Sequence, residues 1–389
     1  MPSEAPARKS TPSELPLGTV INGRYRVASL IASGGMGHVY RAEQAPLGRV
    51  VALKLLRTPA VEDGKLEESF RKRFFVEASI LAKVQHVNVV TLFDYGRIEG
   101  VERDQYFMAM EYLAGETLAD RIRDGIALPT QDVLRILRQI ARGLREAHKL
   151  GAVHRDLKPS NVMLVPEADG GEVVKILDFG IGKLLGEQAG KDEQALTQQG
   201  SFLGSPRYVA PEQVNERRVD ARTDVYALGV IAYEALCGFV PFDRETNLET
   251  ILAHCSAPLP PMSERNPAAS VPEVVETFVR KCLEKDPNAR PASMEEVLRG
   301  ISECERALFG VTSLGASPND LTPPVLASPR APAASRPEAF DDTLASSPEM
   351  MRERRPSVGS LGTQSPLTTP AAPAPAPEDG RHDLTRRVV

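Results

Sequence analysis

Apolar and polar positions alternate with the period of a strand over three early stretches and then switch to the period of a helix, so pattern alone divides the chain. From Thr19 to about Leu56 the reading is β: YRVASLI, a glycine turn, HVYRAE, then the near-continuous apolar run VVALKLL. Residues 69–84 take the helical period, with Phe70, Phe74, Leu81 and Val84 on one stripe. Further strands are predicted at 90–95 and 106–112. After Gly115 the pattern is mostly helical: Val133, Ile136, Leu137, Ile140 and Leu144 mark a long amphipathic helix. VYALGVIAYEAL is apolar all round and predicts a buried helix, and EADGG at 167–171 predicts the turn of a short hairpin. The expected fold class is α+β, a small β-rich lobe with one main helix over 18–112 and a larger α-helical lobe over 113–309.

Composition changes the picture at the two ends. Residues 1–17 are rich in Pro, Ser and Ala, and 310–389 hold thirteen of the 32 prolines with Phe340 as their only aromatic residue. Such segments bury too little apolar area to offset their ordering entropy, so both are expected to be disordered. Elsewhere the 42% hydrophobic content is that of a globular protein. A net charge of -5 argues against a nucleic-acid or membrane-surface partner, since both select clustered positive charge. The apolar run near Val225–Tyr233 is far shorter than the ~20 residues of a membrane span, and the start of the chain lacks an apolar segment behind basic residues. A cytoplasmic protein without a membrane span is the expectation. Cys237, Cys255, Cys282 and Cys304 form no CxxC pair, which suggests neither a zinc site nor a disulfide framework.

The candidate chemistry lies in HRDLKPSN, His154–Asn161, which sets an acid, a lysine and an amide at the spacing that phosphoryl transfer to a hydroxyl requires. Alone, the octapeptide also reads as a polar loop with local hydrogen bonds. Four more signatures follow in order. ASGGMGHVY, Ala32–Tyr40, is a glycine turn between strands, suited to approach phosphates or simply to form a hairpin. Lys54 interrupts a strand apolar enough to be buried, and Glu77 interrupts the helical stripe; each is the natural partner of the other's charge. KILDFGIGK places Asp178 22 residues after Asp156. GSPRYVAPEQ, Gly204–Gln213, precedes the buried helix, and KDPNARP lies downstream.

Together these motifs resemble the eukaryotic-like serine/threonine protein kinases of bacteria over roughly residues 18–309. The resemblance implies a bilobal kinase fold, ATP and Mg2+ as cofactors with Mn2+ as the alternative ion, and protein substrates with Ser or Thr acceptors. It implies that Asp156 is the base or hydroxyl orienter, that Lys158 stabilises transition-state charge, and that Asn161 and Asp178 hold metal. Ile31, Gly34, Gly37 and Val39 would border the nucleotide, and Lys54, paired with Glu77, would hold its α- and β-phosphates. Ala52 and Met163 would sandwich the base with Val39, the backbone of Glu111–Leu113 would bind adenine, and Met110 would guard the pocket behind it. Ala32 stands where the family has its first loop glycine, a departure that touches no catalytic group. Glu212 would pair with Arg290, and Asp224 would hold the backbone around His154; for both acids helix capping is the alternative reading. Arg155 calls for an anionic partner, which in relatives is phosphate on the activation segment; Thr197 and Ser201 are the candidates for autophosphorylation in trans, through a transient homodimer. RERRPS, Arg352–Ser357, makes the tail a regulatory arm or a solvated linker. Two other classes compete: a scaffold that keeps the fold without activity, against which stand Lys54, Asp156 and Asp178, and a small-molecule phosphotransferase, against which stands the Gly204–Glu212 segment.

Overall fold

The computed structural model describes residues 15–34, 37–56, 64–99, 105–122, 125–179, 205–215 and 219–310. The first lobe is a six-stranded antiparallel sheet in the order β1 (Val20–Ile21), β2 (Tyr25–Gly34), β3 (Gly37–Gln44), β4 (Arg49–Leu56), β6 (Tyr106–Glu111), β5 (Leu92–Arg97). Period-two alternation gives the sheet two working faces. Tyr40, Ala42, Val51, Leu53, Leu55, Phe107 and Ala109 form a core on one of them. Leu15 packs there too, and its N–H donates to the Tyr40 hydroxyl at 2.9 Å, so packed chain begins before the expected boundary at residue 18. The register aligns Val39 with Lys54, Lys54 with Met108 and Ala52 with Met110, which puts all five on the other face.

Helix α1 runs Gly64–Leu81 where the pattern predicted 69–84. Phe74, Ala78 and Leu81 are its buried stripe, and Phe74 meets Tyr106 at a ring separation of 5.0 Å. Val84 is buried as well, but in a tight turn that bonds back to Leu81 O. The strand predicted at 90–95 begins at Leu92, because Val89 and Val90 pair elsewhere: they bridge in parallel to Ile176 of the second lobe, with Val90 N–H donating to Ile176 O and Ile176 N–H to Asn88 O, both at 2.9 Å.

The second lobe opens with a three-stranded sheet of β7 (Glu116–Thr117), β8 (Val162–Pro166) and β9 (Glu172–Ile176); residues 167–171 form the β8–β9 turn. Around it stand α2 (Leu118–Arg121), α3 (Thr130–Lys149), α4 (Pro211–Val214), α5 (Ala221–Cys237), α6 (Asn247–Ser256), α7 (Met262–Arg265), α8 (Glu273–Cys282) and α9 (Met294–Phe309). The amphipathic α3 buries the stripe Val133, Ile136, Leu137, Ile140 and Leu144. The apolar α5 is buried on nearly every side, capped by Asp220 at its start and stopped by Gly238 at φ 83°. One hydrophobic core runs from the α1 face of the sheet through α3, α5, α8 and α9. Among the described residues, no helix is long and apolar enough to cross a membrane. The segments expected to be disordered, 1–17 and 310–389, lie outside the described residues except for 15–17 and Gly310.

Candidate active site

The cleft face of the first sheet carries Val39, Ala52, Lys54 and Met110, of which Met110 and Lys54 are buried. Gly34 and Gly37 close the β2–β3 turn as a register pair, and Ile31 is exposed on β2. Gly37 adopts φ 137°, and a Cβ built there would lie 1.8 Å from Leu55 O, so no other residue fits without moving backbone. Glu111 ends β6, with Leu113 half-buried two residues on.

Below the cleft, the His154–Asn161 loop is held by one buried carboxylate. Asp224 accepts from His154 N–H at 2.8 Å, from Arg155 N–H at 3.0 Å and from His148 Nε2 at 2.7 Å. Asp220 does the helix capping, so Asp224 is free for this task. Burial alone would raise the Asp224 carboxyl, but the His148 contact and the His154 donors hold it below the usual carboxylate range. His154 is fully buried, which lowers its pKa and favours the neutral ring. Its Nε2 lies 2.7 Å from Leu177 O; a carbonyl can only accept, so Nε2 carries the proton. Phe179 lies against this ring at 4.8 Å and is itself buried.

That scaffold presents the charged groups. Lys158 Nζ donates to Asp156 Oδ2 at 2.9 Å, and Asn161 Nδ2 donates to Asp156 O at 2.9 Å. Asp178 and Arg155 adopt left-handed backbone, φ 43° and 62°, a cost concentrated at these two turns. The left-handed turn brings Asp178 Oδ1 to 2.8 Å from Lys54 Nζ. The ammonium is held by Asp178, across the cleft, and Glu77 lies half-buried on α1. The lysine demanded an acid; pattern did not point to the one on this turn.

Glu212 and Arg290 meet as a bidentate pair at 2.8 and 2.9 Å, both buried. Sequence reasoning missed Gln213, whose Oε1 accepts from Ala210 N–H and whose Nε2 donates to Arg155 O at 2.9 Å, tying this segment to the His154–Asn161 loop. It also missed His148; the only available signal was its place in the last turn of α3. Thr197 and Ser201 lie outside the described residues. Cys237, Cys255, Cys282 and Cys304 are free thiols.

Among the described residues, no group of three or more His, Cys, Asp or Glu side chains could hold a metal unaided. The donors that exist are a hard carboxylate on Asp178 and the Asn161 amide oxygen, left over because Nδ2 is bonded to Asp156 O. Such a set fits an ion that takes its other ligands from phosphate and water, the habit of Mg2+.

The protein kinase domain family matches residues 25–300. Two similar curated proteins are the serine/threonine-protein kinase pkn3 of Myxococcus xanthus, 37% identical over 72% of this chain and 49% of that protein, and PrkC of Bacillus subtilis, 36% identical over 72% and 40%. The chain thus spans half or less of the length of these relatives. In structure it is similar to the Mycobacterium tuberculosis PknI kinase domain, with a TM-score of 0.56 and 27% identity over 75% of this chain and 99% of that one. With those matches laid over a cleft in which Lys54, Asp156, Lys158, Asn161 and Asp178 converge, the chain belongs to the protein kinase family and is similar to bacterial serine/threonine-protein kinases.

Proposed function

We propose that the chain transfers the γ-phosphoryl of ATP to serine or threonine hydroxyls of proteins, through a kinase domain spanning residues 18–309. The supporting observation is the joining of two ion pairs in one cleft: Lys158 to Asp156 on the loop below, and Lys54 to Asp178 across it. Asp156 accepts the acceptor hydroxyl's proton, or orients that hydroxyl, and Lys158 beside it neutralises charge that builds on the transferring group. Lys54 turns from Asp178 to the α- and β-phosphates as nucleotide enters, exchanging one anion for another. Asp178 and Asn161 are the residues that would hold Mg2+, which when bound shields the phosphates from each other and from the incoming oxygen. Val39 and Ala52 form the roof over adenine, Met163 the floor, Met110 the rear wall, and Glu111–Leu113 the backbone edge. Lys158–Pro159 and the names of the relatives support Ser/Thr acceptors over tyrosine. Autophosphorylation at Thr197 or Ser201 in a transient homodimer would give Arg155 a phosphate to hold, in a protein working in the cytoplasm.

The assigned roles separate by experiment. Lys54→Met and Asp178→Asn should weaken ATP binding measured calorimetrically with Mg2+ by at least about tenfold, whereas Asp156→Asn should leave binding within about twofold and abolish turnover. Asp156→Asn with undiminished turnover would refute the assignment.

A further inference from the structure

The carboxylate of Glu111 does work that its place in the Glu111–Leu113 edge does not require. Its Oε1 accepts from Thr91 N–H and from Lys175 Nζ, each at 2.7 Å, while its own N–H donates to Thr91 O at 3.0 Å. Lys175 belongs to the other lobe. On β9 it stands directly opposite Met163 of β8, so the two share a face of that small sheet. Its neighbours Val174 and Ile176 alternate into the core, and Ile176 is the residue onto which Val89 and Val90 bridge. Asn88 adds a bond from Nδ2 to Val174 O at 2.8 Å. Three pieces of chain therefore converge on one carboxylate: Glu111 itself, the strip 88–91 through Thr91 N–H, and the strand pair that carries the pocket floor through Lys175.

The ion pair is mostly shielded, with side chains 14% exposed at Lys175 and 22% at Glu111. A surface pair would be screened and worth little; one this covered holds its geometry. Without the cation, a shielded carboxylate would keep one backbone donor and turn toward water, taking the Glu111 backbone with it. That backbone is the edge assigned to adenine.

We propose that Lys175 is a positioning residue for the nucleotide: through Glu111 it fixes the Glu111–Leu113 backbone relative to the Met163 floor. The proposal rests on the reading of this cleft as an ATP site. A lysine acting only as a strand staple would affect stability alone, so the decisive quantity is the division between nucleotide affinity and turnover.

The test uses the full chain, as wild type, Lys175→Met, Lys175→Arg and the double variant Glu111→Gln with Lys175→Met. ATP affinity with Mg2+ is read by calorimetry, kcat and KM by phosphate transfer, and folding by thermal melting. Lys175→Met should raise Kd and KM for ATP about three- to tenfold with kcat within about twofold, and Lys175→Arg, which keeps a donor, should recover most of the affinity. The double variant should bind ATP no more weakly than Lys175→Met, because both changes break the same contact. Unchanged ATP affinity in a folded Lys175→Met protein, or a fall in melting temperature with no change in Kd, would overturn the proposal. Wild type that binds no ATP would instead overturn the parent reading, which the first titration reveals.

Discussion

Replacing Arg290 by methionine is the sharpest probe of what locks the Glu212 segment to the second lobe. The guanidinium is fully buried, and every edge is in use: Nη1 and Nη2 hold Glu212 at 2.8 and 2.9 Å, Nε reaches Glu284 O at 2.7 Å, and Nη1 and Nη2 also reach Arg222 O at 3.0 Å and Lys285 O at 3.1 Å. The Tyr226 ring lies under it at 4.7 Å. Methionine fills much of the volume, but among the described residues it leaves buried Glu212 only the Thr223 hydroxyl, at 2.8 Å, as a side-chain partner. Removing one partner of such a pair costs ~3–5 kcal/mol. In a domain of this size each kcal/mol moves the melting temperature by about 2–4 °C, so a fall of roughly 6–20 °C is expected. Circular dichroism melts, with urea titration as an independent measure, provide the assay. Adding Glu212→Gln should not lower the melting temperature much further, since it removes the stranded charge that makes the single change so costly. A fall below about 2 °C for Arg290→Met, or full additivity in the double variant, would refute the reasoning.

Three further outcomes follow from the same geometry. Buried His254 has its pKa pushed down to about 3, chiefly by burial and then by Lys285, and His154 shifts in the same direction. Both folded values lie below the unfolded one, so the unfolded chain takes up more protons in acid; the stabilisation is present above pH 6.5 and is lost as pH falls. For His254 alone the loss from pH 7 to 5 is about 2 kcal/mol, read from urea midpoints, and a flat profile over that window would contradict it. Gly37→Ala should raise KM for ATP about tenfold or more with the melt of the second lobe unchanged, because its Cβ would displace the Leu55 carbonyl; wild-type KM would refute the close approach. Asp224→Asn turns an acceptor for three donors into a group with donors of its own, so kcat should fall more than about tenfold with ATP Kd within about twofold, and equal loss in both would show a general collapse.

Much of the architecture was legible because the pattern was strong. VVALKLL and the α3 stripe could be little else, and the turn at 167–171 is where glycine and acid clustering put it. What escaped was what depends on the far partner. The strand at 90–95 was misplaced because Val89 and Val90 are apolar like their neighbours, yet Asn88 and Val90 bond to Ile176, over eighty residues away. Lys54 announced that it needed an anion, but local sequence does not say that Asp178 would be at hand, on a turn of φ 43°. Asp224 illustrates the reverse: capping and loop-holding are equally compatible with its position, and only Asp220 taking the cap separates them. Gln213 and Lys175 carry no local signal, since an amide after a glutamate and a lysine in a strand are ordinary surface residues until their contacts are known.

The most direct test of phosphoryl transfer is the fate of labelled γ-phosphate from ATP with Mg2+, offered to the full chain and to a generic basic protein, in wild type and in Asp156→Asn. Label on serine or threonine that the variant fails to incorporate is the predicted result. Label on tyrosine, or incorporation that survives the loss of the Asp156 carboxylate, would contradict it.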